Sequence, residues 1–162
     1  MHDFLLAPVD DAAPAIPPLI DRLVNEPATA WVESATLDAF LAAPGRAVLF
    51  VWSDPVRYPE CLDVAVVLPE LRRALAREAG VASEELFRIG IVGPASERAI
   101  AEKQGALKRP SLVFLNNGGW QGVIGGMLDW NEFADETRRL LAAPVGRAPG
   151  IGIPVNRADA CH

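Results

Sequence analysis

Residues 47–71 constrain the fold of this chain more than any other stretch. The segment from Ala47 to Trp52 is apolar on both faces when extended, which is typical of a central strand in a parallel or mixed sheet. A polar loop marked by Pro55 and Pro59 follows it. A helix is then predicted over residues 62–79, and Pro69 inside it must remove a backbone hydrogen bond and bend the axis. Together these features indicate an α/β domain.

The remaining elements alternate between strands and helices. Strands are predicted over residues 28–33, 86–92, 111–115 and 120–125, and helices over residues 17–25, 36–41, 96–104 and 129–141. The run Asn116-Asn117-Gly118-Gly119 is a strong turn signal, so the last two strands are expected to pair as an antiparallel hairpin. The order predicts a mixed central sheet with helices on both faces and an extra N-terminal helix.

The composition of the ends differs from that of the middle. Residues 1–16 are rich in proline, alanine and aspartate, and residues 143–162 contain much glycine and proline without periodicity. Both ends are predicted to be flexible, with one domain over residues 17–142.

The order of elements resembles that of the thioredoxins over residues 28–142. Three local features carry the resemblance: Pro69 within the helix, Arg109-Pro110 at the entry to a strand, and Gly125-Gly126 before the last helix. The resemblance implies a cis peptide bond before Pro110, since only proline adopts the cis form at low cost. It also implies a thioredoxin-like fold.

The residues that give thioredoxins their redox activity are replaced. Cys61-Leu62-Asp63-Val64 occupies the positions of the dithiol, so Val64 stands where the second thiol would be. Phe50 stands in place of the buried acid that assists the thiols. Reduction of a disulfide in two thiolate steps needs a second nearby thiol. The chain is therefore expected to bind a partner rather than to act as a dithiol oxidoreductase.

A second resemblance is more specific. The run from Ser53 to Leu71, together with Pro18-Leu19-Ile20 and Trp31-Val32, looks like the hydrogenase expression proteins of the HyaE/HupG/HoxO type. That resemblance implies a cytoplasmic, non-catalytic maturation chaperone for an uptake [NiFe] hydrogenase. It implies binding of the small-subunit precursor, through its twin-arginine signal peptide and before export, and possible contact with other maturation proteins.

The candidate partner-binding residues lie on the loop, at the helix start and before the fourth strand. Acidic residues near a helix N-terminus stabilise the helix without any partner, but here they lie beside the expected peptide site and favour recognition of a basic segment. Arginine and tyrosine are common interface anchors. The residue before a cis proline can pair with an added peptide strand. The predicted site consists of Asp54, Arg57, Tyr58, Glu60, Asp63, Arg109 and Pro110.

Two other functions are open. One is a monothiol redox protein that uses Cys61, with Cys161 as a distant resolving thiol; the other is a structural subunit of a larger maturation complex. A helix N-terminus lowers the pKa of a thiol, whereas the neighbouring Glu60 and Asp63 raise it. A small, mildly apolar residue at the start of a helix is the preferred interpretation of Cys61.

Composition excludes several classes of partner. The formal net charge of −6 argues against nucleic acid binding. No apolar run reaches the ~18 residues of a membrane helix, the N-terminus lacks the basic region of a secretory signal, and no metal-ligand spacing or cofactor motif occurs. Two cysteines a hundred residues apart (61 and 161) form no disulfide framework, which favours a reducing, cytoplasmic location.

Overall fold

A computed structural model describes residues 15–149 of the chain. Five strands form one mixed sheet in the order β1-β3-β2-β4-β5, in which β1, β3 and β2 are parallel and β4 and β5 run antiparallel to their neighbours. The strands are β1 (Thr29–Val32), β2 (Arg46–Val51), β3 (Arg88–Val92), β4 (Ser111–Asn116) and β5 (Gly119–Gly125). The helices are α1 (Pro18–Asp21), α2 (Leu37–Ala42), α3 (Glu60–Ala79), α4 (Ser83–Leu86), α5 (Glu97–Gln104) and α6 (Trp130–Leu141). This architecture confirms the predicted mixed α/β fold.

Strand β2 lies in the centre of the sheet, as its sequence predicts. Val48 and Phe50 face one hydrophobic core, which is closed by α3, α6 and the N-terminal helix. Leu49 and Val51 face a second core on the other side of the sheet, which α2 and α5 cover. All four side chains are fully buried, so a strand that is apolar on both faces requires helices on both sides of the sheet.

Helix α3 begins two residues earlier than predicted. Its first residue is Glu60, so Glu60 and Cys61 belong to the first turn of the helix rather than to the preceding loop. Pro69 is buried within the helix. The helix ends at Gly80, whose φ of 73° is left-handed, and the N–H of Val81 bonds to the carbonyl oxygen of Ala76. Glycine is favoured at such a helix terminus because it has no Cβ to clash.

The predicted strand over residues 86–92 is shorter in the structure. A single helical turn, α4, ends at Leu86, and the strand begins at Arg88. The backbone N–H of Ala82 donates to the Glu85 carboxylate at 3.1 Å. This local bond closes the turn, and it competes with the β-forming character of Leu86 and Phe87.

The hairpin and the proline before it follow the prediction. Asn117 and Gly118 both have positive φ, 50° and 81°, which is the geometry of a type I′ turn between β4 and β5. The Arg109–Pro110 peptide bond is cis. The carbonyl oxygen of Pro110 accepts a bond of 2.8 Å from the N–H of Gly126, which joins the start of β4 to the end of β5.

The two ends of the domain are only partly described. Residues 1–14 and 150–162, including Cys161, lie outside the described residues. At the N-terminus, α1 continues into a 3₁₀ turn (Arg22–Asn25) and buries Ile20 and Leu23, which confirms the extra N-terminal helix.

Part of the segment predicted to be a flexible tail makes specific contacts along β5. The N–H of Gly146 donates to the carbonyl oxygen of Trp120 at 2.7 Å. The side-chain amide of Gln121 donates to the carbonyl oxygen of Ala143 at 2.8 Å. Residues 143–146 therefore cover the free edge of β5, an edge that would otherwise present unpaired backbone groups.

Candidate partner-binding site

The start of α3 and the Arg109-Pro110 segment meet at one edge of the domain. Between them lies a groove of about 480 Å³, and it brings together three of the predicted residues, Tyr58, Glu60 and Arg109. The other residues that line it are Glu97, Leu107, Lys108 and Gly126. Segments that are far apart in the sequence thus form one surface, because the start of β4 lies beside the end of β2 in the sheet.

A second depression, of about 470 Å³, adjoins the first. Asp54 lines it together with Ser53 and Pro55 from the loop and Pro94 before α5. Glu97 lines both depressions and forms the wall between them. Asp54, Glu60 and Glu97 therefore place three carboxylates around one connected surface.

The loop after β2 is closed by its own hydrogen bonds. The backbone carbonyl oxygen of Asp54 accepts from the N–H groups of Arg57 and Tyr58, at 3.1 and 2.8 Å, and its carboxylate accepts from Val56 at 3.0 Å. The resulting turn leaves the Val56 side chain 88% exposed at the tip. The Arg57 guanidinium is exposed and lies 5.7 Å from the centre of the Tyr58 ring.

Arg109 is held by the protein itself. Its Nε donates to the Glu97 carboxylate, and its Nη1 donates to the carbonyl oxygens of Ala106 at 3.1 Å and Lys108 at 3.2 Å. The Arg109 side chain is only 14% exposed. The guanidinium thus forms a fixed wall of the groove, and its charge is balanced by Glu97.

The backbone beside this wall is open. Among residues 15–149, no group bonds to the backbone N–H or carbonyl oxygen of Arg109. The neighbouring Lys108 and Pro110 carbonyl oxygens are both occupied, by Ser111 and Gly126. One free donor and one free acceptor on the same residue are the groups that pair with an added extended peptide. Pro110 itself is buried and supports this edge from behind.

Asp63 stands apart from the other predicted residues. It is exposed one turn into α3, and it lines neither of the two depressions. Its position on the first turn is the one at which an acidic side chain stabilises a helix by itself.

Cys61 is enclosed in the core and does not reach the groove. Its side chain is fully buried, and its Sγ accepts a bond of 3.5 Å from the backbone N–H of Ser53. Burial raises the pKa of the Cys61 thiol, and this effect outweighs the hydrogen bond from Ser53 and the nearby charge of Arg109, which lower it. The positions of the missing second thiol and the missing acid are buried and apolar, at Val64 and Phe50.

Sequence reasoning missed three residues of the groove: Glu97, Leu107 and Lys108. Leu107 has a side chain that is 91% exposed. In the sequence it follows the end of α5 without any periodic pattern, so only its place in the fold marks it. Within the described part of the chain, no helix is long and apolar enough to cross a membrane, and no group of acidic, histidine or cysteine side chains has the arrangement of a metal site.

Comparison with known proteins gives the family. The model of a family described as hydrogenase-1 expression protein HyaE matches residues 19–133. The chain belongs to the HyaE family. Among its relatives is the hydrogenase expression/formation protein HoxO of Cupriavidus necator, which is 47% identical over 97% of this chain and 95% of its own length. The hydrogenase expression/formation protein HupG of Rhodobacter capsulatus is 35% identical over 88% of this chain and 99% of its own.

Solved structures give the fold class. A crystal structure described as the hydrogenase expression/formation protein HupG of Rhodopseudomonas palustris is 32% identical, with a TM-score of 0.45 over 70% of this chain and 95% of that one. The zinc-bound form of human ERp44 is 18% identical and has a TM-score of 0.52, covering 68% of this chain and 29% of its own. The fold of this HyaE-family chain is thioredoxin-like.

Proposed function

We propose that this protein is a non-catalytic maturation factor for an uptake [NiFe] hydrogenase. In this proposal it binds the precursor of the hydrogenase small subunit in the cytoplasm, through the twin-arginine signal peptide and before export. The names of the relatives, hydrogenase expression/formation proteins, support the general role. The observation that carries the finer proposal is the set of three carboxylates, Asp54, Glu60 and Glu97, around two adjoining depressions.

The charges of the site suit a segment with two basic residues. Asp54 and Glu60 are exposed, and neither of them pairs with a cation elsewhere in residues 15–149. Both remain available to guanidinium groups, which bind carboxylates with two parallel hydrogen bonds. Glu97 already neutralises Arg109, so it contributes less to the binding of an added cation.

The backbone of Arg109 gives the site a way to hold an extended peptide. A bound strand would donate to its free carbonyl oxygen and accept from its free N–H. Such main-chain bonds contribute affinity without regard to sequence, while the acidic residues select the basic pair. In this proposal the signal peptide is unstructured before export. Its ordering on the protein costs conformational entropy, which reduces the net affinity.

The state of Cys61 supports a binding role over the monothiol alternative. A thiol that is fully buried and has a raised pKa holds little of the reactive thiolate at neutral pH. The side chains around the dithiol position supply apolar packing instead of proton transfer, since Val64 and Phe50 are both fully buried.

The test compares two forms of the same partner. The small-subunit precursor, with and without its signal peptide, is titrated onto the immobilised protein, and the dissociation constants are measured. Removal of the signal peptide should weaken binding by tenfold or more. Equal binding of both forms would show that the mature small subunit, and not the signal peptide, makes the contact. If neither form binds, the small subunit is not the partner.

A further inference from the structure

A third depression continues the groove beyond Arg109. It has a volume of about 520 Å³, and small or apolar residues form most of its lining: Ala101, Gly105, Ala106, Leu107 and Pro149. Three charged residues, Arg98, Glu102 and Arg109, line it as well. Leu107 and Arg109 line both this depression and the groove that holds Tyr58 and Glu60. The three depressions therefore form one trough with shared walls.

The chemistry of the trough changes from one end to the other. Asp54 lies at one end, Glu60 and Tyr58 line the middle, and Glu97 lies between these two parts. The other end has the mostly apolar lining. Arg109 is fixed by three hydrogen bonds between the middle and the apolar end.

We propose that the Leu107 end of the trough is an apolar subsite that binds the hydrophobic residues following the basic pair of the partner peptide. This inference rests on the proposed function, which supplies the peptide. The occupant is a segment with positive charge at one end and an apolar run at the other, because only that polarity matches the order of carboxylates and apolar lining. Leu107 is the specificity-determining residue, since its exposed side chain lines both the apolar depression and the groove beside it and gains most by being covered.

The experiment uses two fluorescent peptides and three forms of the full chain. One peptide carries two arginines followed by an apolar run, and in the other the apolar run is replaced by serine and asparagine. The proteins are the wild type, Leu107→Asp, and Val81→Asp as the matched control. Val81 is also an exposed aliphatic residue, and it follows the far end of α3, about 30 Å from the start of that helix.

Leu107→Asp should raise the dissociation constant of the apolar peptide by about tenfold or more, because the loss of one buried leucine contact and the burial of a carboxylate act together. It should leave the weak binding of the serine-containing peptide unchanged, and Val81→Asp should change neither. If the wild type prefers the apolar peptide and Leu107→Asp binds it equally well, this subsite is wrong and the proposed function stands. If the wild type binds neither peptide, both proposals are wrong.

The chain's own C-terminus provides the competing occupant, because Pro149 lines this depression and an apolar sequence, Ile151-Gly152-Ile153, follows it. Ile151→Asp combined with Ile153→Asp in the full chain should leave the binding of the apolar peptide unchanged. A severalfold gain in affinity would show that the peptide competes with the chain's own end for this depression, which supports the subsite. A severalfold loss would show that residues 151–153 themselves supply the apolar contact and would overturn the inference.

Discussion

The Sγ atom of Cys61 accepts a hydrogen bond of 3.5 Å from the backbone N–H of Ser53, inside the core and away from the partner groove. This contact joins the start of the long loop to the first turn of α3. It places the one cysteine of the described residues where it contributes packing and a weak hydrogen bond.

The first prediction concerns thiol reactivity. Cys61 should react with a thiol reagent only as fast as the protein opens, since the buried side chain cannot meet the reagent and its pKa is raised. In a Cys161→Ser variant, Cys61 should stay unmodified in the native protein and become reactive in denaturant. Insulin reduction should not exceed that of a Cys61→Ser variant. Activity above this control would establish the monothiol function instead.

The second prediction concerns the pH dependence of stability. The pKa of Cys61 in the folded protein is raised above its ordinary value of 9.0, so the unfolded chain loses this proton first as the pH rises. The stabilisation is fully present below that pH and is lost at alkaline pH, by at most about 1.4 kcal/mol per pH unit. Denaturant unfolding at pH 7 and pH 10 should show a larger loss for the wild type than for Cys61→Ala. Equal losses would contradict the raised pKa.

The third prediction concerns Arg72, a buried arginine on α3. Its side chain is only 1% exposed, and it donates to the carbonyl oxygens of Pro27 at 2.6 Å and Phe87 at 2.9 Å. Arg72→Ala should reduce the free energy of unfolding by about 2–4 kcal/mol, because it leaves the buried carbonyl oxygen of Phe87 unpaired and opens a cavity. The neighbouring Arg73 is the control. Its side chain is 41% exposed and pairs with Glu26 and Glu70, so Arg73→Ala should cost less than about 1 kcal/mol. Similar losses in both variants would be inconsistent with a structural role specific to Arg72.

The fourth prediction concerns the acidic residues of the site. Asp54→Asn combined with Glu60→Gln should weaken binding of the precursor only severalfold, and the effect should shrink at high salt. Exposed charge pairs contribute about 0.2–1 kcal/mol each and act mainly on the association rate. Asp38→Asn with Glu84→Gln removes the same charge at exposed positions outside the trough and should have little effect. An equal loss in the control pair would indicate a dependence on net charge alone.

The fifth prediction concerns the segment that covers β5. A Cβ atom on Gly119 would lie 2.0 Å from Cγ1 of Val145 and 3.1 Å from its Cβ, so Gly119→Ala should push Val145 away from β5 and displace residues 143–146. Amide exchange should become faster at Gly146, whose N–H bonds to Trp120, while the amides of β4 keep their protection. Unchanged protection at Gly146 would mean that Val145 moves aside without releasing the edge.

The sequence was sufficient for the order of elements, because each element carries its own periodic or local signal. Val48 to Val51 are buried on both faces, the glycine after Asn117 makes the hairpin, and Arg109-Pro110 enters the fourth strand through a cis bond. The boundaries were less exact. The turn α4 depends on a single capping contact, the bond from Ala82 to Glu85, which competes with the strand propensity of the same residues. The start of α3 has no side-chain cap and follows a backbone turn, in which the N–H of Cys61 bonds to the carbonyl oxygen of Tyr58.

Only the tertiary structure decided which residues share the partner surface. Tyr58, Glu60 and Arg109 meet because β4 returns beside β2, whereas Asp63, three residues after Glu60 on α3, lines neither depression. Glu97 and Leu107 have no sequence signal, since a surface residue gains its neighbours from chain folding and not from local pattern. The sequence by itself determined the family, the fold and the absence of a second thiol at Val64, because these follow from residue identity and order; the trough follows from long-range packing.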